Sequence, residues 1–115
     1  MKIAITKRGK RDGKKLLNKE QLVRVIEMLK ELKFFPNLHD FEYEKVKGEE
    51  FYKLNVEDPL LKDMWLRINF YFHSETQTIW ILNGYKKKSN AILDSDKRIA
   101  RQLVKEIKRR YKKLE

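Results

Sequence analysis

Thr78–Ser89 reads TIWILNGYKKKS, and this stretch sets the interpretation of the rest of the chain. Its first part is an apolar run rich in β-branched and aromatic residues, which predicts a buried β-strand. No polar turn and further strand follow. The strand instead runs through Asn83-Gly84-Tyr85 into three lysines, Lys86, Lys87 and Lys88. Because rigid sheets commonly carry binding residues at strand ends, this basic cluster is a candidate anion-binding site.

The residues before this strand predict two antiparallel partners for it. Met64–His73, reading MWLRINFYFH, alternates between an apolar face and a mixed face. The mixed face carries Trp65, Arg67, Asn69, Tyr71 and His73. Ser74–Gln77 supplies a hairpin turn, and Glu50–Val56 shows the same alternation upstream. The sequence therefore predicts a three-strand antiparallel meander.

One amphipathic helix is predicted before the meander in the sequence, and another after it. Asn18 and Gln21 have the spacing of a capping box, and apolar residues recur after them at helical intervals. A second helix, capped near Asp94–Asp96, has an apolar stripe and is otherwise covered with lysine and arginine, including Arg98 and Arg101.

The first fifteen residues predict a short strand and a loop. Met1–Thr6 is β-branched and alternating, which is typical of an edge strand. Lys7–Lys15 carries two glycines and many charges, and predicts a mobile basic loop. The expected fold is α+β: a small antiparallel sheet with a possible N-terminal strand, and helices against one side of it. A length of 115 residues fits one domain over 1–115.

Composition favours an anionic partner. The formal net charge is +11, and aromatic residues make up 11% of the chain. Nucleic acid is the first expectation, since aromatic rings beside cations suit base stacking next to phosphate contacts. An anionic membrane surface and an acidic protein remain alternatives.

Several other classes of function are disfavoured. The chain has no cysteine, which excludes disulfides, thiol catalysis and Cys-based zinc sites. The chain has two histidines, and its carboxylates do not have the spacing of metal ligands. We therefore expect no metal site and no cofactor. No apolar run approaches a membrane span, and the N-terminus lacks a secretory signal, so we expect a soluble cytoplasmic protein.

The mixed sheet face has the residue types that metal-independent RNA cleavage requires. Cations must stabilise charge on phosphorus, one group must take the 2′-hydroxyl proton, and another must protonate the leaving oxygen. The candidates are Lys53, Arg67, Tyr85 and Lys86. Trp65 and Tyr71 are candidate stacking platforms for bases. Alternatively, Arg67 forms a cross-strand salt bridge with Glu50, and Tyr85 only packs.

The junction around Gly84 resembles the RelE/HigB superfamily of toxins, especially its phage-derived HigB-like branch. That branch has an apolar strand, then Gly-aromatic-x-Lys-Lys-Thr/Ser, then a helix with Arg and Ala near its start. The matching residues are Ile79–Leu82, Gly84–Ser89 and Arg98-Ile99-Ala100, with Arg67 matching an arginine of the preceding strand. The resemblance covers about Phe51–Arg101.

The resemblance implies a microbial-RNase-like fold and a ribosome-dependent endoribonuclease that cuts mRNA without a cofactor. It also implies a cognate antitoxin, for this branch usually a helix-turn-helix protein. Lys53 falls on a catalytic lysine, Arg67 on a transition-state arginine and Lys86 on a further basic position. Lys87 and Lys88 match a lysine pair that, with Arg98 and Arg101 of the basic helix, would grip RNA.

The chain departs from the family pattern at two positions. Asn55 stands where relatives carry lysine or arginine, and the C-terminal catalytic tyrosine has no counterpart, because Ile92 falls near its place. Tyr85 is the candidate replacement. Three hypotheses follow: an mRNA-cleaving toxin, a ParE-like toxin that inhibits a protein target without catalysis, or a non-toxic basic nucleic-acid-binding module.

Overall fold

Five strands, three α-helices and two short 3₁₀ helices make up the regular structure of the residues that the computed structural model describes, which are 1–39, 41–62, 64–87 and 92–114. The strands are β1 (Lys2–Ile5), β2 (Glu42–Lys45), β3 (Tyr52–Val56), β4 (Leu66–His73) and β5 (Thr78–Lys86). The helices are α1 (Lys7–Leu16), α2 (Lys19–Leu29) and α3 (Asp94–Leu114). Within the described residues, no helix combines the length and apolar content that crossing a bilayer requires.

The five strands form one mostly antiparallel sheet in the order β1-β5-β4-β3-β2. The predicted meander is confirmed as β3, β4 and β5, and its Ser74–Gln77 turn is closed by a backbone hydrogen bond of 3.2 Å from Gln77 N to Ser74 O. The predicted edge strand is confirmed as β1, which pairs parallel to β5. A bulge at Leu82 lies between the pairs Asn69–Asn83 and Phe70–Ile81.

The prediction of a mobile loop over Lys7–Lys15 was wrong, because these residues form α1. Thr6 caps the helix by accepting a 3.0 Å hydrogen bond from the Gly9 amide. A Cβ at Gly9 would lie 3.0 Å from the Ile5 side chain, and one at Gly13 would lie 3.1 Å from the Leu22 side chain. The two glycines, one helical turn apart, therefore allow α1 to pack closely against β1 and α2 instead of making the segment flexible.

Strand β2 was missed, whereas α2 was predicted correctly. Asn18 and Gln21 form the expected capping box, with hydrogen bonds of 2.8 and 3.0 Å. Strand β2 pairs antiparallel with β3 and forms the sheet edge opposite β1. It lies in the acidic part of the chain, so it brings carboxylates next to the residues of β3.

The helices lie on both faces of the sheet, so the prediction that they share one side was wrong. On one face, α1 and α2 cover a core that includes Val25, Leu29, Leu54, Ile68, Phe70 and Ile79. On the other face, α3 packs through Ala100, Val104 and Ile107 onto Phe51, Tyr71 and Leu82. Helix α3 covers only the half of this face that lies near the β4–β5 turn, and polar residues line the other half.

Candidate functional site

The polar half of the α3-side face brings together the residues that sequence analysis selected for chemistry. Arg67 in β4 lies opposite Asn55 on one side and opposite Tyr85 on the other. Lys53 lies two register pairs further along β3, opposite Asn69. Because side chains two residues apart share a face, Lys53, Arg67 and Tyr85 are neighbours on one surface.

Arg67 is held in a fixed orientation at the centre of this surface. It is only 3% exposed, and its Nε donates a 3.0 Å hydrogen bond to Asn55 Oδ1. The Asn55 amide in turn donates to Glu42 Oε2 at 3.2 Å. The alternative partner, Glu50, instead forms an ion pair with Lys108 of α3. The guanidinium is therefore a preorganised cation on the floor of the site.

Lys53 forms an ion pair at the rim, on the side of β2. Its ammonium lies 2.7 Å from Glu44 Oε1, and the hydrogen bond and charge of Lys53 lower the pKa of Glu44 below its ordinary value. The charge of Arg67 acts in the same direction. A depression of about 320 Å³ is lined by Glu42, Tyr43, Glu44, Lys53, Asn55 and Arg67. An anionic ligand entering this depression meets two cations and competes with Glu44.

Tyr85 completes the site as a protonated phenol. It is 9% exposed, and its hydroxyl donates a 3.2 Å hydrogen bond to Asn69 Oδ1. Burial raises the pKa of Tyr85 to about 12, although the nearby charge of Arg67 opposes the shift. Asn69 donates from Nδ2 to Asn83 Oδ1 at 3.1 Å, and Asn83 donates to the Asp96 carbonyl at 3.3 Å. At neutral pH this phenol can donate a proton or a hydrogen bond but cannot act as a base.

Several candidate residues lie elsewhere. Tyr71 is 8% exposed and packs in the core beneath α3, so its ring is covered by the helix. Lys86 is exposed and pairs with Leu66, which places it on the opposite face from Arg67 by strand alternation. Lys88 lies outside the described residues.

The other candidate RNA contacts are Trp65, Lys87, Arg98 and Arg101. Trp65 is 60% exposed, and Lys87 Nζ lies 5.4 Å from the centre of its ring. Arg98 is exposed near the beginning of α3. Arg101 is engaged with Glu49, since its Nε and one terminal nitrogen both lie 2.7 Å from Glu49 Oε1. Arg101 therefore ties α3 to the β2–β3 turn in addition to contributing positive charge.

Sequence analysis missed the acidic and amide residues of the site. Glu42 and Glu44 reach it because β2 pairs with β3, and the alternation of Phe41, Glu42, Tyr43 and Glu44 is the signal that could have revealed this strand. Asn69 and Asn83 are 0% and 1% exposed and hold Tyr85 in place. Their pairing required the register of β4 and β5, which composition does not reveal.

Comparison with solved structures finds the same fold in RelE proteins. The RelBE toxin-antitoxin complex of E. coli aligns with a TM-score of 0.56 and 15% identity, over 76% of this chain and 98% of that chain. The chain has the RelE toxin fold. The RelBE2 complex of Mycobacterium tuberculosis aligns with a TM-score of 0.55 and 16% identity, over 75% of this chain and 96% of that chain. The archaeal RelE-RelB complex of Pyrococcus horikoshii aligns with a TM-score of 0.53 and 19% identity, over 78% of this chain and 97% of that chain.

The expected RelE-type fold is thus confirmed, including the α+β architecture. No family model matches the sequence, and no curated protein matches it. The assignment to the HigB-like branch stays a prediction, and the identities of 15–19% establish the shared fold alone.

Proposed function

We propose that this chain is the toxin of a toxin–antitoxin system and acts in the cytoplasm as a metal-independent, ribosome-dependent mRNA endoribonuclease that inhibits translation. The observation that carries the proposal is the arrangement of Arg67, Lys53 and Tyr85 on the uncovered part of the sheet of a RelE-type fold. A basic net charge of +11 suits RNA as the substrate.

The site offers a distinct role to each group in RNA cleavage. The RNA 2′-oxygen attacks phosphorus, the bond from phosphorus to the 5′-oxygen breaks, and a 2′,3′-cyclic phosphate forms. Arg67 and Lys53 stabilise the negative charge that develops on the phosphoryl oxygens, because both are held in place before the substrate arrives. The Tyr85 hydroxyl gives its proton to the departing 5′-oxygen.

Glu44 is the acceptor best placed for the 2′-hydroxyl proton. Lys53 is an ammonium in its ion pair with Glu44, so we assign it the electrostatic role rather than that of a base. The carboxylate lies 2.7 Å from Lys53 and is 66% exposed, and like an ordinary glutamate it is ionised at neutral pH. Once a phosphate draws Lys53 towards it, Glu44 becomes available to the 2′-hydroxyl.

The surroundings of the site supply RNA contacts and suggest partners. Trp65, Lys87 and Arg98 are accessible, Lys86 adds charge from the opposite face at the end of β5, and Lys88 follows Lys87 in the sequence. We propose that these groups contact mRNA and the ribosome. Solved structures of the same fold include complexes with antitoxins, which supports a cognate antitoxin for this chain. By the resemblance to the HigB-like branch, it is a helix-turn-helix protein.

The test is induced expression in a bacterial host with transcript 5′ ends mapped within minutes. We expect growth arrest and new ends inside translated frames. Arg67→Ala and the double variant K53A/R67A should lose these ends, whereas Lys105→Ala, which removes an exposed cation of α3, should keep them. Arg67→Lys retains the positive charge but loses the planar guanidinium group. A loss of cleavage in this variant therefore reflects lost chemistry and not lost folding.

Other outcomes would assign other functions. Growth arrest with intact transcripts and damaged DNA topology would replace the proposal with a ParE-like toxin. The replacement of a family cation by Asn55 is the feature that favours this second candidate. Salt-dependent RNA binding with neither arrest nor cleavage would indicate a binding module.

A further inference from the structure

A second depression lies at the beginning of β4, next to the strand residue pair Val56–Leu66. It has a volume of about 460 Å³ and is lined by Glu57, Asp58, Pro59, Lys62, Met64 and Trp65. Trp65 forms one wall and is 60% exposed, which is unusual for the largest apolar side chain. Trp65 comes two residues before Arg67, so strand alternation places both side chains on the same face of the sheet.

Lys87 contacts Trp65 through both its backbone and its side chain. The Lys87 amide donates a 2.6 Å hydrogen bond to the Trp65 carbonyl, extending the β4–β5 ladder. The Lys87 ammonium lies 5.4 Å from the ring centre, within cation–π range. Because the ammonium lies over one face of the ring, a planar base would stack on the other face, and the cation would be close enough to contact the adjoining phosphate.

One carboxylate in this depression is available for a ligand. Asp58 is already engaged, accepting from Arg24 Nε at 3.0 Å and from the Leu60 amide at 3.1 Å. Glu57 is exposed and makes no ion pair or side-chain hydrogen bond with the described part of the chain. The two carboxylate oxygens of Glu57, next to the Trp65 ring, suit a nucleobase whose edge presents two adjacent hydrogen-bond donors.

Guanine is the base with that edge. Its N1–H and N2 amino group are neighbouring donors that a carboxylate can accept together, whereas adenine presents an acceptor at N1. Cytosine and uracil each offer one donor at that edge and stack less extensively. We propose that this depression binds a guanine of the RNA substrate, stacked on Trp65 and held by Glu57. This inference rests on the proposed function for its RNA and on the geometry of the depression for its base.

The test is nucleotide binding to the isolated protein followed by tryptophan fluorescence. Trp80→Phe serves as the background, so that Trp65 alone reports. We expect 5′-GMP to quench the emission with an affinity about tenfold higher than that of 5′-AMP, since a two-point contact to a base edge gives discrimination of this order. CMP and UMP should bind more weakly than either purine.

Two variants separate stacking from base reading. Glu57→Gln should bring GMP and AMP to equal affinity while both still quench. Glu75→Gln, a matched exposed carboxylate in the β4–β5 turn, should leave the preference unchanged. Equal quenching by all four nucleotides, no quenching at all, or a preference that survives Glu57→Gln would each overturn the proposal.

The assay distinguishes failure of this site from failure of the proposed function. Selective GMP binding together with an absence of transcript cleavage would retain the guanine site and reject the endoribonuclease. Cleavage in cells with no preference for guanine near the new ends, together with no GMP binding, would retain the endoribonuclease and reject the guanine site.

Discussion

Asp12 connects α1 to the strand that carries Tyr85, and its replacement by alanine should lower the free energy of unfolding by about 2 kcal/mol. The Asp12 side chain is 9% exposed. Its Oδ2 accepts a 3.1 Å hydrogen bond from the Gly84 amide, and its two oxygens lie 3.0 and 3.2 Å from Arg8 Nε. Asp12→Ala removes both interactions and leaves a partly buried amide without its acceptor.

The magnitude follows from three contributions. An amide deprived of its partner costs about 1–3 kcal/mol. Loss of an i, i+4 ion pair costs about 0.2–0.5 kcal/mol. Alanine is a better helix former than aspartate by about 0.5 kcal/mol, which offsets the second loss. The net of about 2 kcal/mol corresponds to a fall in Tm of about 8 °C for a chain of this size.

Chemical unfolding followed by circular dichroism gives the free energy, and hydrogen exchange of the Gly84 amide reports the contact directly. Arg8→Ala removes the ion pair alone and should cost no more than about 0.5 kcal/mol. Asp12→Asn keeps an acceptor for Gly84 and should fall between the two. Equal losses for Asp12→Ala and Arg8→Ala, with unchanged exchange at Gly84, would refute the reasoning.

Three further predictions concern the site and its support. Glu44→Gln releases Lys53, so it should raise the affinity for a short RNA and steepen the plot of log affinity against log salt by about one charge. It should nevertheless slow cleavage. A gain in both RNA affinity and cleavage rate would contradict the role of Glu44 as the base. Because burial raises the pKa of Tyr85 to about 12 from an ordinary value of 10, the unfolded chain loses this proton first. The contribution of protonated Tyr85 to the free energy of unfolding is therefore complete below pH 10 and is lost as the pH rises towards 12. In unfolding curves measured at alkaline pH, Tyr85→Phe should not show this loss. Phe51→Ala should cost about 3–5 kcal/mol because Phe51 is fully buried under α3, and limited proteolysis should then cut α3 first.

The meander could be predicted from sequence because its strands carry strong, regular signals. Met64–His73 alternates over ten residues, and the apolar run that follows has a clear turn before it. Strand β2 spans four residues with three charges, so its pattern is too short to stand out. Its pairing with β3 depends on contacts between strands, which a single-sequence pattern does not contain.

The error at α1 has a specific cause. Gly9 and Gly13 were interpreted as sources of flexibility, but their spacing of four places both on one side of a helix. Their role depends on the neighbours Ile5 and Leu22, which come close only in the folded chain. Charged residues on the outer side of α1 then need no partner in the core.

The candidate site could be predicted in part. Alternation placed Arg67 and Tyr71 on one face correctly, but the sequence does not reveal where α3 crosses that face. Because α3 covers the end near the β4–β5 turn, Tyr71 is buried and the surface around Arg67 is left open. The ion pair of Lys53 with Glu44 depends on β2. It could not be predicted, because the pattern of β2 is too short to be recognised in the sequence.

The parallel pairing of β1 with β5 has a consequence for the timing of biosynthesis. Contacts between these segments join residues 76 positions apart, as between the Thr6 hydroxyl and the Leu82 carbonyl. Domains with many such distant contacts fold slowly, because a large loop must close before the contacts form. Translation adds about 5–20 residues per second, so β1 waits several seconds on a ribosome before β5 exists. The open surface around Arg67 is built from β3, β4 and β5, so a nascent chain lacks this surface until nearly the whole sheet has been synthesised.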